Sequence, residues 1–183
     1  MTDVVVVGGG PAGLSAALFT EKNGLDTVVY DTDETWMHKA HLFNYLGIDS
    51  MDGSEYMEVS REQVEEFGVD ITESEVTDIE QGGDGFVVTT AEGDTEATYL
   101  VLATGADRSL AETLGCDFDG DLVDVNLSME TSVEDAYATG AMVRDQEWQA
   151  IISAGDGGAA ALDILSKEEG EHFHDFDTPA DAA

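Results

Sequence analysis

The chain has 183 residues, 42% of them apolar, enough for one well-cored domain and hardly more, and that apolar share excludes global disorder. No apolar run approaches the roughly 20 residues that span a bilayer, so the sequence predicts a soluble protein with no membrane partner. With 41 acids against 6 bases the formal charge is −35, which repels the phosphates of nucleic acid and of anionic lipid and excludes both as partners.

Met1-Thr2-Asp3 carries no basic segment and no cleavage site, so no export signal is expected. Val4–Val7 is a continuous β-branched run and predicts a strand buried on both faces. Gly8-Gly9-Gly10-Pro11-Ala12-Gly13 follows, and Leu14–Asn23 then carries apolar residues at helical spacing. Pro11 suits the first helical turn and Gly24 the position just past the end. Thr27–Tyr30 is a second apolar run ending at Asp31, so the first thirty residues read as a βαβ unit. Trp36 to Ile48 has no clean period and predicts a loop-rich excursion with a short helix. Ser54–Phe67 predicts an amphipathic surface helix ended by Gly68, with Val69–Ile71 as a short third parallel strand. Glu75–Ile79, Phe86–Thr90 and Thr95–Tyr99 are separated by glycine-containing turns and predict a β-meander. Tyr99–Ala103 returns to a buried strand ending at Thr104-Gly105, and residues 106 to 121 read as an acidic loop. Ala136–Ala138 predicts another short strand, and the last helix is expected from about Trp148 to Ser166.

The fold class that results is α/β, a Rossmann-like dinucleotide-binding domain of two or three layers. It has a central parallel sheet and a small antiparallel β-meander. A single domain is expected over residues 1–167, with an acidic, loosely held tail over 168–183. Acids are spread along the chain, in Asp31–Glu34, Glu62–Glu66, Glu73–Glu80 and Asp117–Asp124, whereas a binding tail concentrates them in one block. Their self-repulsion opposes the compact state in dilute buffer, and at molar salt, where the Debye length is about 3 Å, it largely disappears. The composition therefore resembles that of cytoplasmic proteins from salt-accumulating halophiles; the alternative is an acidic protein with a basic partner. Cys116 is alone, which rules out an intrachain disulfide and a Cys-x-x-Cys pair. Asp117 and Asp119 beside it disfavour a thiolate, so a structural thiol is expected.

Gly8-x-Gly10-x-x-Gly13 lies between the first strand and the first helix, where its chemistry requires it. Gly8 allows the tight turn, Gly10 lets the backbone approach a pyrophosphate, and Gly13 lets helix and strand pack closely. The helix N-terminus presents unpaired N–H groups and a positive dipole end to the phosphates. Asp31 ends the second strand about twenty residues on, where a carboxylate accepts from both ribose hydroxyls and repels a 2′-phosphate. His38 and His41 read as surface histidines, Trp36 and Trp148 as packing residues, with Trp148 placed where a ring can cover a cofactor. Glu171-His172-Phe173-His174-Asp175 has metal-ligand chemistry but sits in a tail that offers poor preorganisation, so no metal is expected.

Gly8–Gly13 with Leu14-Ser15-Ala16-Ala17 resembles the FAD fingerprint of the thioredoxin reductase branch of the pyridine nucleotide–disulfide oxidoreductases. More of that pattern follows in order. Asn44-Tyr45-Leu46-Gly47 is similar to the segment beside the flavin ring, and Ala103-Thr104-Gly105-Ala106 to the turn under the FAD. Thr131-Ser132-Val133 with Ala136–Gly140 is similar to the second flavin-contacting segment, and Gln149 with Ala154-Gly155-Asp156-Gly157 to the helix facing the flavin pyrimidine. The resemblance covers the chain up to about Ser166. It implies FAD as cofactor, held by Gly8, Gly10, Pro11, Ala12, Gly13, Asp31, Asn44, Val76, Ala103, Thr104, Gly105, Gly140, Ala141, Gln149 and Ala150, with no catalytic side chain.

The chain departs from that family in three places. Only Asp107 to Glu130 separate the Ala-Thr-Gly turn from the second flavin segment, where the family carries an NAD(P)H domain and a Cys-x-x-Cys. That gap is far too short for a second domain of roughly 100 residues, so the nicotinamide–flavin–disulfide relay cannot run within it. Leu46 replaces a proline, and Ala141 replaces an aspartate that bonds the ribityl chain, at a cost of about 1.5–3 kcal/mol of binding. Gly155, Gly157 and Gly158 each lower helix propensity by about 0.8–1 kcal/mol relative to Ala, as expected if the last helix approaches the sheet or a cofactor closely. Its N-terminus near Trp148 and Gln149 would favour the negative charge of a reduced flavin.

The function expected is a thioredoxin reductase-like flavoprotein oxidoreductase that binds FAD and exchanges electrons with a separate redox partner protein or with NAD(P)H. A homodimer is the candidate assembly. The alternatives are a non-catalytic FAD- or NAD-binding module, or a subunit of a larger redox assembly.

Overall fold

β1 (Thr2–Val7) occupies an interior position of the sheet. Val4 and Val6 join one apolar cluster and Val5 and Val7 the other, which is why all four positions are apolar instead of alternating. The computed structural model describes residues 2–83 and 85–178. α1 (Pro11–Lys22) starts with proline in its first turn, and β2 (Thr27–Asp31) returns parallel to β1, completing the expected βαβ unit.

The aperiodic stretch contains a 3₁₀ turn over Trp36–Lys39, begun by Thr35, whose hydroxyl accepts from the Met37 amide. A two-residue ladder of β3 (His41–Leu42) and β4 (Met51–Asp52) follows; elements this short leave no period to read. α2 (Gly53–Phe67) is capped by Asp52 and stopped by Gly68 at φ +112°. β5 (Asp70–Glu73) then pairs parallel to β2.

β6 (Val76–Gly82) and β7 (Gly85–Thr90) form the meander with β8 (Gly93–Leu102). Here one expectation is corrected: the two strands read at Thr95–Tyr99 and Tyr99–Ala103 are a single ten-residue β8. Residues 93–97 pair antiparallel with β7, and residues 97–102 pair parallel with β1. The strand runs on because Ala97, Tyr99, Leu100, Val101 and Leu102 are all buried. A second correction concerns residues 106 to 121. They hold α3 (Ser109–Leu114) and β9 (Phe118–Asp119) in place of a plain loop, and β9 forms a hairpin with β10 (Leu122–Val123) just beyond them. Six helical residues are too few to establish a period, but they bury Ala111 completely.

β11 (Ala136–Ala138) adds to β8 beside Leu100–Leu102, and α4 (Ala150–Glu169) closes the chain's regular structure. It starts two residues after Trp148 and runs three past Ser166. The seven-stranded sheet has the order β5-β2-β1-β8-β7-β6, with β11 also on β8. α1, α2 and α4 supply the apolar cluster on one side of β1, and the meander, α3 and the β9–β10 hairpin supply the other. The layers number three.

Helices α1 and α4 meet at unusually close range. A Cβ at Gly157 would stand 2.0 Å from the Ala12 carbonyl oxygen. This glycine therefore serves helix-on-helix contact; the closest backbone it meets is α1, not the sheet. At the C-terminus Lys22 on α1 binds Asp175 at 2.8 Å and also Asp177, and the Phe173 amide donates to Ser166 Oγ at 3.0 Å. Contacts from this acidic segment to the body reach Asp177; residues 179–183 lie outside the described residues. Among the described residues no helix is long and apolar enough to cross a membrane.

Candidate functional site

An open cleft of about 720 Å³ lies along the C-terminal ends of the parallel strands, where open α/β sheets place their ligands. Its volume is within the roughly 300–1,000 Å³ of small-molecule sites. Of the residues expected to hold a cofactor, Gly8, Gly10, Pro11, Ala12, Asp31, Val76, Ala103, Thr104, Gly105, Gly140, Ala141 and Ala150 line it. Gly13, Asn44 and Gln149 do not. Gly13 lies beneath the turn, where a Cβ would be 1.8 Å from the Gly8 carbonyl oxygen, which is the packing role its place in the motif predicts. Asn44 is exposed on the loop between β3 and β4, and Gln149 is exposed at the start of α4.

The glycines of the turn answer to different demands. Gly8 sits at φ +108°, and a Cβ there would lie 2.3 Å from the Ala103 carbonyl oxygen, so this glycine brings the ends of β1 and β8 together. At Gly9 a Cβ would strike the Asp31 carboxylate at 2.6 Å. Gly10 is different: the nearest atom is Thr35 Oγ1 at 3.6 Å, ordinary contact distance. The protein's own packing does not require glycine at position 10. Gly10 is also the N-cap of α1, and no side chain caps that helix. Its first-turn amides have no partner inside the helix and carry the positive end of its dipole.

Asp31 is held from two sides. It accepts from the Gly9 amide at 2.8 Å and from the Arg61 guanidinium of α2, which also reaches Asp33 at 3.2 Å. Burial lowers the pKa of Arg61. An ionised carboxylate has about four acceptor sites, so two bonds leave capacity for the hydroxyls of a sugar. Arg61 was not foreseen from the sequence. The signal present was one arginine among the acids of an otherwise ordinary amphipathic helix.

The other wall is built by the turns after β8 and β11. Arg108 ties them together, donating to the carbonyls of Ala106 (3.0 Å), Ala141 (2.9 Å) and Met142 (2.9 Å). Thr139 Oγ1 donates to the Leu102 carbonyl at 3.0 Å. Ala141 thus offers a methyl group and an already engaged carbonyl where the resemblance calls for a carboxylate. α4 begins beside it without a side-chain cap, so a second helix N-terminus opens on the same cleft. Asp156 on α4 is buried and binds Arg144 through two bonds, of 2.6 and 3.2 Å. The Trp148 indole donates to the Arg144 carbonyl at 3.1 Å and lies 5.1 Å, centroid to centroid, from Trp36. Both rings line the cleft. The acids lining it are Asp31, Glu34, Glu75 and Asp107, and no lysine or arginine is among its lining residues.

The remaining candidates lie elsewhere. Cys116 is buried in the cluster beneath the meander, and burial, with Asp117 adding to it, pushes its thiol up. His38 bonds Ser54 and Asp33, each at 3.0 Å, and His41 bonds Ser50 at 2.9 Å. Neither histidine lines the cleft.

Comparison with known proteins agrees with this geometry. The profile of the family described as pyridine nucleotide-disulphide oxidoreductase matches residues 2–106 and 41–158. Thioredoxin reductase of Treponema pallidum (strain Nichols) is 37% identical over 116 residues, 58% of this chain and 36% of that protein. The thioredoxin reductase of Listeria monocytogenes is 29% identical over 109 residues, 58% of this chain and 34% of that protein. The chain thus spans about a third of the length of the curated relatives it matches. A solved structure of a thioredoxin reductase from Gloeobacter violaceus superposes with a TM-score of 0.87 at 21% identity, covering 97% of this chain and 99% of that one. Rossmann turn, cleft and matched segments together place the chain in the pyridine nucleotide-disulphide oxidoreductase family, to which it belongs as a thioredoxin reductase-like member.

Proposed function

We propose that the chain holds FAD in this cleft and acts as a flavoprotein oxidoreductase whose electron partner is a separate molecule. The observation that carries the reading is the uncapped tip of α1. Gly10 lacks a side chain that the surrounding protein would accommodate, and the tip faces a cleft with Asp31 fixed at one side. A diphosphate takes the first-turn amides, and the adjoining ribose takes the free acceptor sites of Asp31. With no lysine or arginine along the lining, backbone amides and the two helix termini carry the recognition of the phosphates. Toward the other end Ala141 supplies no acceptor side chain, so binding there falls to main-chain groups and to the start of α4.

When bound, the flavin supplies hydride or electron transfer, which needs no acidic or basic side chain. Residues 107–130 leave no room for a second dinucleotide domain. A nicotinamide-binding domain is therefore not inserted at that point, and NAD(P)H as donor would reach the flavin from outside residues 1–183.

Protein purified in molar salt is expected to show flavin absorbance or to acquire it on adding FAD, with mass spectrometry identifying the retained ligand. Absence of flavin after addition of FAD counts against the proposal. Ala141 favours one competing reading, a dinucleotide-binding module without turnover. Bound FAD that NADH, NADPH and reduced electron carriers all leave oxidised would select the module.

A further inference from the structure

The cleft has a direction. Asp31, at the end of β2, and Ser74, just past β5, lie on one side of the α1 tip; Ala103–Gly105 after β8 and Gly140 after β11, with the start of α4 beside it, lie on the other, in the order the strands take in the sheet. A dinucleotide with its ribose on Asp31 and its diphosphate on α1 must send its second half toward α4. Trp148 stands there, two residues before Ala150, its indole N–H anchored on the Arg144 carbonyl, while Asp156 holds Arg144 in turn. Trp36 arrives from the opposite wall. The chain leaves Asp31, passes Gly10 at Thr35, and sets Trp36 against Trp148 with the rings tilted by 53°.

The two indoles are 53% and 44% exposed, so the apolar core does not account for either. Large aromatic faces left open along a cleft are suited to a flat ring system.

We propose that Trp36 and Trp148, packed on each other at 5.1 Å, form one aromatic wall for the ring-bearing half of the dinucleotide, and that this pair selects a flavin over ligands that share only the adenosine diphosphate half. The proposal rests on the reading that the cleft binds FAD. Stacking of a base on one aromatic side chain corresponds to about tenfold or more in affinity.

The test compares FAD with ADP by titration calorimetry in molar salt, using the full chain and the variants Trp36→Ala, Trp148→Ala, Trp36→Phe and Trp148→Phe. Each alanine variant is expected to lose about tenfold in FAD affinity while ADP affinity and melting temperature stay unchanged, and each phenylalanine variant to recover most of the loss. Equal losses for FAD and ADP, or no loss for either, would overturn the aromatic wall while leaving the cofactor assignment standing. Failure of the unaltered chain to bind either ligand would remove the cofactor assignment, and the aromatic wall with it.

Discussion

Gly155 and Gly157 sit one turn apart or less on the same helix, yet adding a methyl group at each should move stability in opposite directions. At Gly155 a Cβ meets nothing within 4 Å. Gly155→Ala therefore gains helix propensity alone, about 0.8–1 kcal/mol, and for a domain of this size raises Tm by about 2–4 °C. At Gly157 the same methyl stands 2.0 Å from the Ala12 carbonyl oxygen and 3.1 Å from the Ala16 nitrogen. Both are main-chain atoms of a packed helix and cannot rotate away, so α4 must withdraw from α1 by more than an ångström. Overpacking of this kind costs about 1–3 kcal/mol; the propensity gain offsets part of it, and the backbone character of the clash puts the cost toward the upper end. Gly157→Ala is expected to be less stable by about 1–2 kcal/mol, a fall in Tm of about 2–8 °C. Because Ala12 lies in the first turn of α1, FAD affinity should also fall in Gly157→Ala and stay constant in Gly155→Ala. Thermal and urea denaturation followed by circular dichroism, in one molar-salt buffer, measure both variants. A Gly157→Ala protein as stable as Gly155→Ala would refute the close helix contact and the positioning of the α1 tip that depends on it.

Ala141→Asp is expected to tighten FAD binding by about tenfold or more, the worth of one charge-assisted hydrogen bond; calorimetry showing weaker binding would mean that the ribityl chain does not reach this position. Since the cleft is lined by acids and no lysine or arginine, affinity for FAD should rise with potassium chloride across the range where circular dichroism is constant, as screening shortens; a falling affinity would point to a cationic phosphate contact outside the lining. The buried, raised thiol of Cys116 should react with a maleimide only at the rate of unfolding, and rapid native-state labelling would contradict its burial. Burial above all pushes Tyr56 up to about 12 and raises Tyr99 and Tyr137 further. With folded values above the ordinary phenol near pH 10, these groups contribute stability fully below that pH; the Tyr56 share is lost as pH rises through about 12, and the Tyr99 and Tyr137 shares at higher pH. Tyrosinate absorbance should therefore show a late step coinciding with loss of the circular dichroism signal, and one gradual step with all five tyrosines ionised in the folded state would speak against it.

The βαβ unit was legible because its signals are local and repeated: four β-branched residues, a glycine turn, a proline in the first helical turn and an acid at the end of the next strand all describe one motif. The long helices α2 and α4 were legible for the same reason. What escaped reading was short or shared. The β3–β4 ladder and the β9–β10 hairpin use two residues per strand, too few for alternation to register. β8 was divided because its first half follows meander patterning and its second half the pattern of a strand buried on both faces, although the backbone is continuous. At the site, most of the turn residues expected there line the cleft, whereas the pairings between side chains from distant segments were not legible. Arg61 reaches Asp31 from thirty residues away, and Trp36 meets Trp148 across 112 positions (148 − 36). Neither pairing leaves a trace in spacing, since tertiary contact alone creates it.

Arg61 also belongs to a wider arrangement that explains how a chain of charge −35 both closes and leaves its cleft without a base. Five of the six cations join segments far apart in sequence or fix a turn. Lys22 holds the segment at Asp175; Arg61 holds the end of β2; Arg108 joins the turns after β8 and β11; Arg144 holds α4 through Asp156; and Lys167 binds Glu130 at 2.5 Å and Asp135 at 2.7 Å ahead of β11. Exposed ion pairs contribute little singly, but where acids outnumber bases so heavily each cation also relieves repulsion between the segments it joins. Placing the bases at closures removes them from ligand binding, and the duty of attracting an anion passes to groups that carry no titratable charge. The uncapped ends of α1 and α4 meet that requirement: their amides keep their dipole at any pH, and they do not compete with the acids for the few cations available.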